Sequence, residues 1–232
     1  MNVFRRRELK FLLNPDQKQV IEELMAQRMV PDKYGRSTIC NLYYDTPDYR
    51  LIRRSLEKPV YKEKLRLRSY GRIQPGVDVF LEMKKKYKGV VYKRRLRMSQ
   101  TEAMEFMNRR APLPEDCQIG RELEYFRDFY QNLEPRVYLC YDRQAWFDPE
   151  DKGFRMTIDR NIRYRMEGLD LTAPVGGALA LEPELSLLEV KASGGVPMWL
   201  VEHLSRERIF KQSFSKYGRV YLLESRGRSY VG

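Results

Sequence analysis

Histidine is nearly missing from this chain of 232 residues: His203 is the only one. Any mechanism that needs two histidines is therefore excluded. Cysteine is scarce as well. Cys40, Cys117 and Cys140 are odd in number and widely spaced, which excludes a disulfide scaffold and a Cys-x-x-Cys zinc site and fits a reducing cytosol. No stretch approaches the ~20 apolar residues of a membrane-spanning helix. The opening residues, Met1 to Glu8, contain Arg5-Arg6-Arg7 and no apolar leader core, so the expected location is cytoplasmic. Acidic residues are in deficit, 32 Asp+Glu against 44 Lys+Arg, for a formal net charge of +12. An excess of that size calls for an anionic partner: nucleic acid, anionic lipid, nucleotide or polyphosphate. What the chain does have is material for a core. Hydrophobic residues make up 42% and aromatics 12%, which argues against wholesale disorder. No linker divides it, so 1–232 reads as a single domain.

Period and punctuation give the elements. Glu8–Leu13 reads as a strand, and Asn14-Pro15 as a cap and first position of a helix reaching about Met29. Cys40–Tyr44 is a strand, and Thr46-Pro47 repeats the cap-plus-proline signal ahead of a short helix. Val60–Tyr70, Val77–Lys86 and Val90–Met98 form an antiparallel meander, turning at Gly71 to Gly76 and at Tyr87-Lys88-Gly89. Ser99 and Glu102 make a capping box for a helix to about Arg110, followed by a loop from Ala111 to Glu115. Arg121–Leu133 reads as helix, and Arg136–Arg143, Phe154–Asp159 and Leu185–Lys191 as strands. Ala173 to Ala180 reads as a mobile loop, and Pro197–Arg208 and Ser213–Leu223 as closing helices.

The informative feature is alternation. In Lys62-Glu63-Lys64-Leu65-Arg66-Leu67-Arg68 a cation falls at every second position. Residues two apart on a strand share a face, so Lys62, Lys64, Arg66 and Arg68 form a row with leucines behind them. Lys84 and Lys86, then Lys93, Arg95 and Arg97, repeat the pattern. Glu-x-Lys recurs as Glu8-Leu9-Lys10, Glu82-Met83-Lys84 and Glu189-Val190-Lys191, each placing a carboxylate and an ammonium on one face. Such strands suit a barrel that is polar inside and apolar outside. On a single strand, alternation marks a wet sheet face about as often as a site. Repeated on several strands it is costly: two unit charges ~7 Å apart repel by roughly 2.4 kcal/mol at an effective dielectric of 20 unless an anion binds between them. Tyr43, Tyr44 and Asp45 read as core and turn residues as readily as ligands. Trp146 and Trp199 read as packing, Lys85 as pointing away from Lys84 and Lys86, and His203 as a structural helix residue.

The order of these segments resembles the catalytic VTC domain of polyphosphate polymerases, in the triphosphate tunnel metalloenzyme (CYTH-like) superfamily. The resemblance runs nearly end to end. It is carried by Arg7-Glu8-Leu9-Lys10-Phe11, Leu42-Tyr43-Tyr44-Asp45-Thr46, Lys64–Tyr70, Phe80–Lys84, Gly89–Arg95, Tyr141-Asp142-Arg143, Arg155–Asp159, Leu188–Lys191 and Phe214–Tyr217. It implies an α+β fold, an antiparallel β-barrel tunnel with helices packed outside. Lys10, Arg66, Arg68, Lys84, Lys93, Arg143, Arg155 and Lys191 would line the tunnel and hold phosphates, joined by Lys62, Lys64 and Arg95 from the alternation. Lys216 matches a lysine on the C-terminal helix that closes over the tunnel. Glu189 matches the metal-binding glutamate for Mn2+ or Mg2+, with Glu8 or Glu82 as a second ligand. The wider superfamily often opens with Glu-x-Glu-x-Lys. Here Arg6 stands in the first place, before Glu8 and Lys10, so the tunnel is poorer in carboxylates. The SPX and membrane-spanning segments of eukaryotic polymerase subunits are not in this sequence, so membrane coupling is expected through partner proteins.

The acceptor decides the reaction. Hydrolysis has to activate water, whereas chain elongation uses a terminal phosphate oxygen, largely deprotonated at pH 7 because its second pKa is ≈ 6. A cation-rich, carboxylate-poor tunnel suits elongation from ATP onto inorganic polyphosphate. The rival readings are a tunnel triphosphatase or nucleotide cyclase, and a polyphosphate-binding module without turnover. A nucleic-acid binder ranks lowest, because the basic residues alternate with leucines in strands rather than crowding loops or one helix face.

Overall fold

The computed structural model describes residues 7–74, 77–113 and 116–228. Arg5 and Arg6 of the basic run, Pro75 and Gly76 of the first meander turn, and Pro114 and Glu115 of the following loop lie outside the described residues. The strands are β1 (Arg7–Leu13), β2 (Val30–Asp45), β3 (Tyr61–Tyr70), β4 (Asp78–Tyr87), β5 (Val90–Ser99), β6 (Glu134–Phe147), β7 (Arg155–Arg165), β8 (Ala178–Leu179) and β9 (Ser186–Ala192). The helices are α1 (Pro15–Arg28), α2 (Arg50–Leu56), α3 (Gln100–Met107), α4 (Gln118–Tyr130), α5 (Met198–Arg206) and α6 (Lys216–Arg228). The strands are ordered β1-β9-β7-β6-β2-β3-β4-β5, with β8 on β7. No described helix is long and apolar enough to cross a membrane.

By contacts the chain forms two compact units, each assembled from separated segments. The first comprises Met1–Thr38, Tyr141–Arg163 and Leu179–Ser215; the second comprises Ile39–Cys140, Tyr164–Ala178 and Lys216–Gly232.

In the second unit the meander has one apolar face. Leu42, Leu65, Leu67, Leu81 and Met83 are buried in a cluster with Ala103 and Phe106 of α3 and Leu123, Phe126 and Tyr130 of α4. Ser99 accepts from the Glu102 amide while Glu102 accepts from the Ser99 amide, so the expected capping box starts α3. Lys85 and Arg94, on the helix side, both reach Glu122 of α4 at 3.5 and 3.1 Å. In the first unit, Phe11 and Leu13 of β1, Met156 and Ile158 of β7, and Leu188 and Val190 of β9 bury against Ile21, Leu24 and Met25 of α1 and Leu200 of α5. Trp146 and Trp199 pack on this cluster. Asn14 and Gln17 cap α1 reciprocally, with Pro15 at its start.

Three expectations need correction. The Cys40–Tyr44 strand is only the buried end of β2, whose outer half is polar and exposed and gives no hydrophobic signal. The short helix does not start at Thr46-Pro47. It starts at Arg50 behind Tyr49 in the left-handed region (φ 59°). Its first amides are taken by a longer reach: Asp45 accepts from Leu51 and Ile52, and the Thr46 hydroxyl accepts from Arg50. The stretch read as a loop from Ala173 to Ala180 contains β8, too short for a pattern of its own and held by pairing with β7.

Candidate functional site

The polar face of the meander shows its design in the register. Lys64 of β3 stands opposite Lys84 of β4, which stands opposite Lys93 of β5. Three lysines therefore lie abreast, where directly opposed side chains are ~5 Å apart at Cβ and like charges are destabilising. The next row is Tyr43, Arg66, Glu82 and Arg95, and the one beyond it Asn41, Arg68, Phe80 and Arg97.

Glu82, 2% exposed, organises this face. Its Oε2 accepts from Arg66 Nε and Nη2 at 3.0 and 2.8 Å, and Arg68 Nε stands 3.7 Å away. Its Oε1 meets Lys93 Nζ at 2.6 Å and Arg95 Nε at 3.7 Å. Burial pushes the Glu82 carboxyl up, but Arg66, Arg68 and Lys93 overcome it and hold the group well below the usual carboxylate range. The other cations are braced too. Arg66 donates to the Tyr43 hydroxyl (3.1 Å), Arg68 to Asn41 (3.0 Å), and the Arg95 guanidinium lies 3.3 Å from the centre of the Phe80 ring. Lys62 turns to the Ser55 carbonyl at the end of α2 (3.0 Å), so part of its charge serves a helix C-terminus.

Lys216 opens α6 and is 7% exposed. Its neighbour Tyr217 stacks on Tyr43 (4.8 Å between ring centres) and donates to Asp45 at 2.8 Å. The α6 start is thus joined, through Tyr217 and Tyr43, to Arg66 and Glu82.

The first unit carries a second polar face. Glu8 pairs in register with Lys191 and Lys10 with Glu189; across β9, Lys191 faces Arg155 and Glu189 faces Thr157. Glu189 meets Arg143 Nη2 at 3.4 Å, Lys10 Nζ at 3.5 Å and Lys191 Nζ at 3.9 Å. Lys10 also donates to the Phe214 carbonyl at 2.8 Å. Arg143 directs its fork to buried Asp159, Nε to Oδ1 at 2.6 Å and Nη2 to Oδ2 at 2.7 Å. Burial works against the Arg143 charge, but Asp159, Tyr141 and Glu189 hold its pKa well above the ordinary value. Arg155 shares the face in register and ion-pairs with Asp32 of β2. The Thr157 hydroxyl is buried with no hydrogen-bond partner among the described residues.

The expected residues thus fall into two sets. Arg66, Arg68, Lys64, Lys84, Lys93 and Arg95 share one face, with Lys62 at its edge and Lys216 on α6; Lys10, Lys191, Arg143, Arg155, Glu189 and Glu8 share the other. Alternation in β3, β4 and β5 led to the first set. It missed Asn41 and left Tyr43 open between core and ligand, although these alternate on β2 opposite Arg68 and Arg66. It also missed Asp159, which follows Arg155 and Thr157 at the same period. His203 is no part of either face; its Nδ1 lies 2.7 Å from the Trp199 carbonyl of its own helix.

No cluster of three or more metal-binding side chains exists among the described residues. The donors that do exist suit a hard divalent ion taking most of its oxygens from phosphate and water. Glu189 supplies one carboxylate, with the partnerless Thr157 hydroxyl opposite it in register. Glu82 fits less well, since Arg66 and Lys93 hold its two oxygens at 2.8 and 2.6 Å, whereas the cations round Glu189 stand 3.4 to 3.9 Å away.

A family model of the VTC domain matches residues 5–223. This chain belongs to the VTC domain family. Its fold is that of the triphosphate tunnel proteins. A candidate adenylate cyclase from Bacillus halodurans superposes with a TM-score of 0.53 at 14% identity, over 91% of this chain and 95% of that one. A candidate adenylyl cyclase from Hippeastrum with a dominant triphosphatase activity superposes with a TM-score of 0.51 at 17% identity, over 90% and 92%. The α+β, antiparallel expectation is borne out for this VTC domain.

Proposed function

We propose that this VTC domain is a polyphosphate polymerase that transfers the terminal phosphate of ATP, or of another nucleoside triphosphate, to inorganic polyphosphate. A triphosphate or phosphate chain would lie against the lysine row Lys64, Lys84 and Lys93, with Arg66, Arg68 and Arg95 beside it. Lys10, Lys191, Arg143 and Arg155 would hold phosphates on the other face, and Lys216 would close on the chain. A terminal phosphate oxygen of the acceptor attacks the γ-phosphorus, the bond from that phosphorus to the β,γ-bridging oxygen breaks, and ADP leaves with the electron pair. No proton has to be removed from the nucleophile, so the side chains have only to position the reactants and neutralise charge. Mn2+ or Mg2+, held by Glu189 with Glu8 as the second candidate carboxylate, would supply Lewis-acid neutralisation of the phosphoryl oxygens.

The observation that carries this reading is the state of the carboxylates. Glu82 is held ionised by cations, and Asp159 is forked by Arg143. The Glu82 pKa is driven down, which makes the group a weak base; both Asp159 oxygens accept from Arg143, and hydrolysis needs a base for water. The second reading, a triphosphatase, is favoured by the Hippeastrum protein of the same fold. Incubation with ATP and Mn2+ followed by 31P NMR separates the two. Polymerase gives a growing signal from internal chain phosphates; triphosphatase gives only orthophosphate and ADP. Glu189→Gln is expected to lower turnover by at least about a hundredfold while tripolyphosphate still binds, as for loss of a group that acts on the transition state. An unchanged Mn2+ dependence in that variant would remove Glu189 from the metal site.

A further inference from the structure

A basic cavity lies in the first unit, on the side of the sheet away from Glu189. Its volume is about 480 Å³, and its walls include Lys18 of α1, Arg36 and Thr38 of β2, Asp142 of β6 and Arg160 and Asn161 of β7. Asp142 is adjacent in sequence to Arg143, and Arg160 to Asp159, so strand alternation turns them to the opposite face. That is the face on which Met156 and Ile158 meet α1. The cavity is therefore no part of the two polar faces described above.

Its charge is unbalanced. Three cations line it against one carboxylate. Asp142 is already satisfied by neutral donors: Thr38 Oγ1 to Oδ1 at 2.9 Å and Asn161 Nδ2 to Oδ2 at 2.8 Å. Among the described residues Arg160 reaches only the Gln144 amide oxygen, at 3.4 Å. Arg36 has no ion-pair partner among the described residues, and Lys18 has a loose contact with Glu22 at 3.8 Å. Two guanidiniums without a carboxylate, placed round one concavity beside an ammonium, make a receptor for phosphate oxygens. Among the described residues the walls hold no aromatic side chain and only Pro183 as an apolar one, so a nucleobase has nothing there to stack on.

We propose that this cavity is a second, non-catalytic site for a small inorganic oligophosphate, pyrophosphate or tripolyphosphate. Arg36 and Arg160 grip the phosphate oxygens and Lys18 adds charge from the helix. Thr38 and Asn161 occupy one oxygen each of Asp142 with neutral hydrogen bonds.

The test is calorimetric titration of pyrophosphate into the full chain, compared with R36A/R160A and with R66A/R68A. Wild type is expected to show two classes of site. R36A/R160A should lose one class, weakened about tenfold or more by the missing charged hydrogen bonds, and keep turnover of ATP within about twofold. R66A/R68A should lose the other class and retain this one. If R36A/R160A fails to fold by circular dichroism, Lys18→Ala has to weaken the same class. Titration curves for R36A/R160A, or for Lys18→Ala, that match wild type would overturn the proposal. Binding of ATP at this site about tenfold tighter than tripolyphosphate would overturn the ligand class. Because the readout is binding, the outcome does not depend on whether the protein makes polyphosphate.

Discussion

At the residue scale, Glu82 decides how four cations can share a sheet face. The sequence shows it as one glutamate among lysines; its burial and its central place in the register are visible only once β3, β4 and β5 are paired. Glu82→Gln keeps the size and one acceptor but leaves Arg66, Arg68, Lys93 and Arg95 to repel. Breaking a fully buried pair costs about 3–5 kcal/mol. Lys93 and Arg95 are 44% and 35% exposed and can turn to water, so about 2 kcal/mol is the expected loss. For a chain of this length that lowers Tm by roughly 4–8 °C. The pH dependence has a definite sign. The Glu82 pKa is lower in the folded protein than in the unfolded chain, so its stabilisation is complete above the unfolded value, about 4.3, and fades as pH falls below it. The Tm gap between wild type and Glu82→Gln should therefore be constant near neutrality and shrink below about pH 4. Tripolyphosphate should close that gap by neutralising the cations from outside. Thermal melts across pH, with and without the anion, measure all three effects, and a gap that widens in acid contradicts the assignment.

At the element scale, the meander and its helices were legible because leucine alternates with lysine and arginine, and because Asn14, Pro15, Ser99 and Glu102 punctuate the chain. The start of α2 was not, because Asp45 caps it from five residues upstream of Arg50, beyond the reach of a local motif. The same Asp45 anchors α6. It is fully buried and accepts from Tyr217, so one carboxylate holds the beginnings of two helices. Burial raises the Asp45 pKa, and the hydrogen bonds from Leu51, Tyr217, Thr46 and Ile52 pull it back. Tyr217→Phe keeps the ring stacked on Tyr43 and removes only the donor. A hydrogen bond to a charged acceptor contributes about 1.5–3 kcal/mol. The local loss falls on α6, which carries Lys216. Amide exchange within 216–226 should accelerate by tenfold or more, as that energy implies, while β3 to β5 keep their protection. Equal acceleration in the meander would mean that the tyrosine supports the whole second unit rather than the seating of one helix.

At the scale of the whole molecule, the net charge of +12 left open which polyanion the protein takes, since nucleic acid and polyphosphate answer equally to charge. Accessibility separates them. The side chains of Arg68, Arg143, Arg66, Lys191 and Lys10 are 9%, 14%, 20%, 21% and 23% exposed, so most of their charge lies below the surface. A duplex presents its phosphates on a broad cylinder and needs cations that stand out from the surface, whereas an unbranched phosphate chain carries no base or sugar and can approach a recessed guanidinium. At matched salt and equal phosphate concentration, tripolyphosphate is therefore expected to raise Tm well beyond any rise from short duplex DNA. A ligand at a hundred times its dissociation constant stabilises by ≈ 2.7 kcal/mol, which is roughly 5–10 °C for a chain of this length. Salt sharpens the contrast. Counterion release makes DNA binding fall steeply between 50 and 200 mM salt, by about 10³-fold or more for six or more phosphate contacts. Recessed cations are screened less, so the shift produced by tripolyphosphate should persist over the same range. Equal shifts from both polyanions, lost together as salt rises, would place the working cations on the exposed surface and shift the choice of partner to nucleic acid.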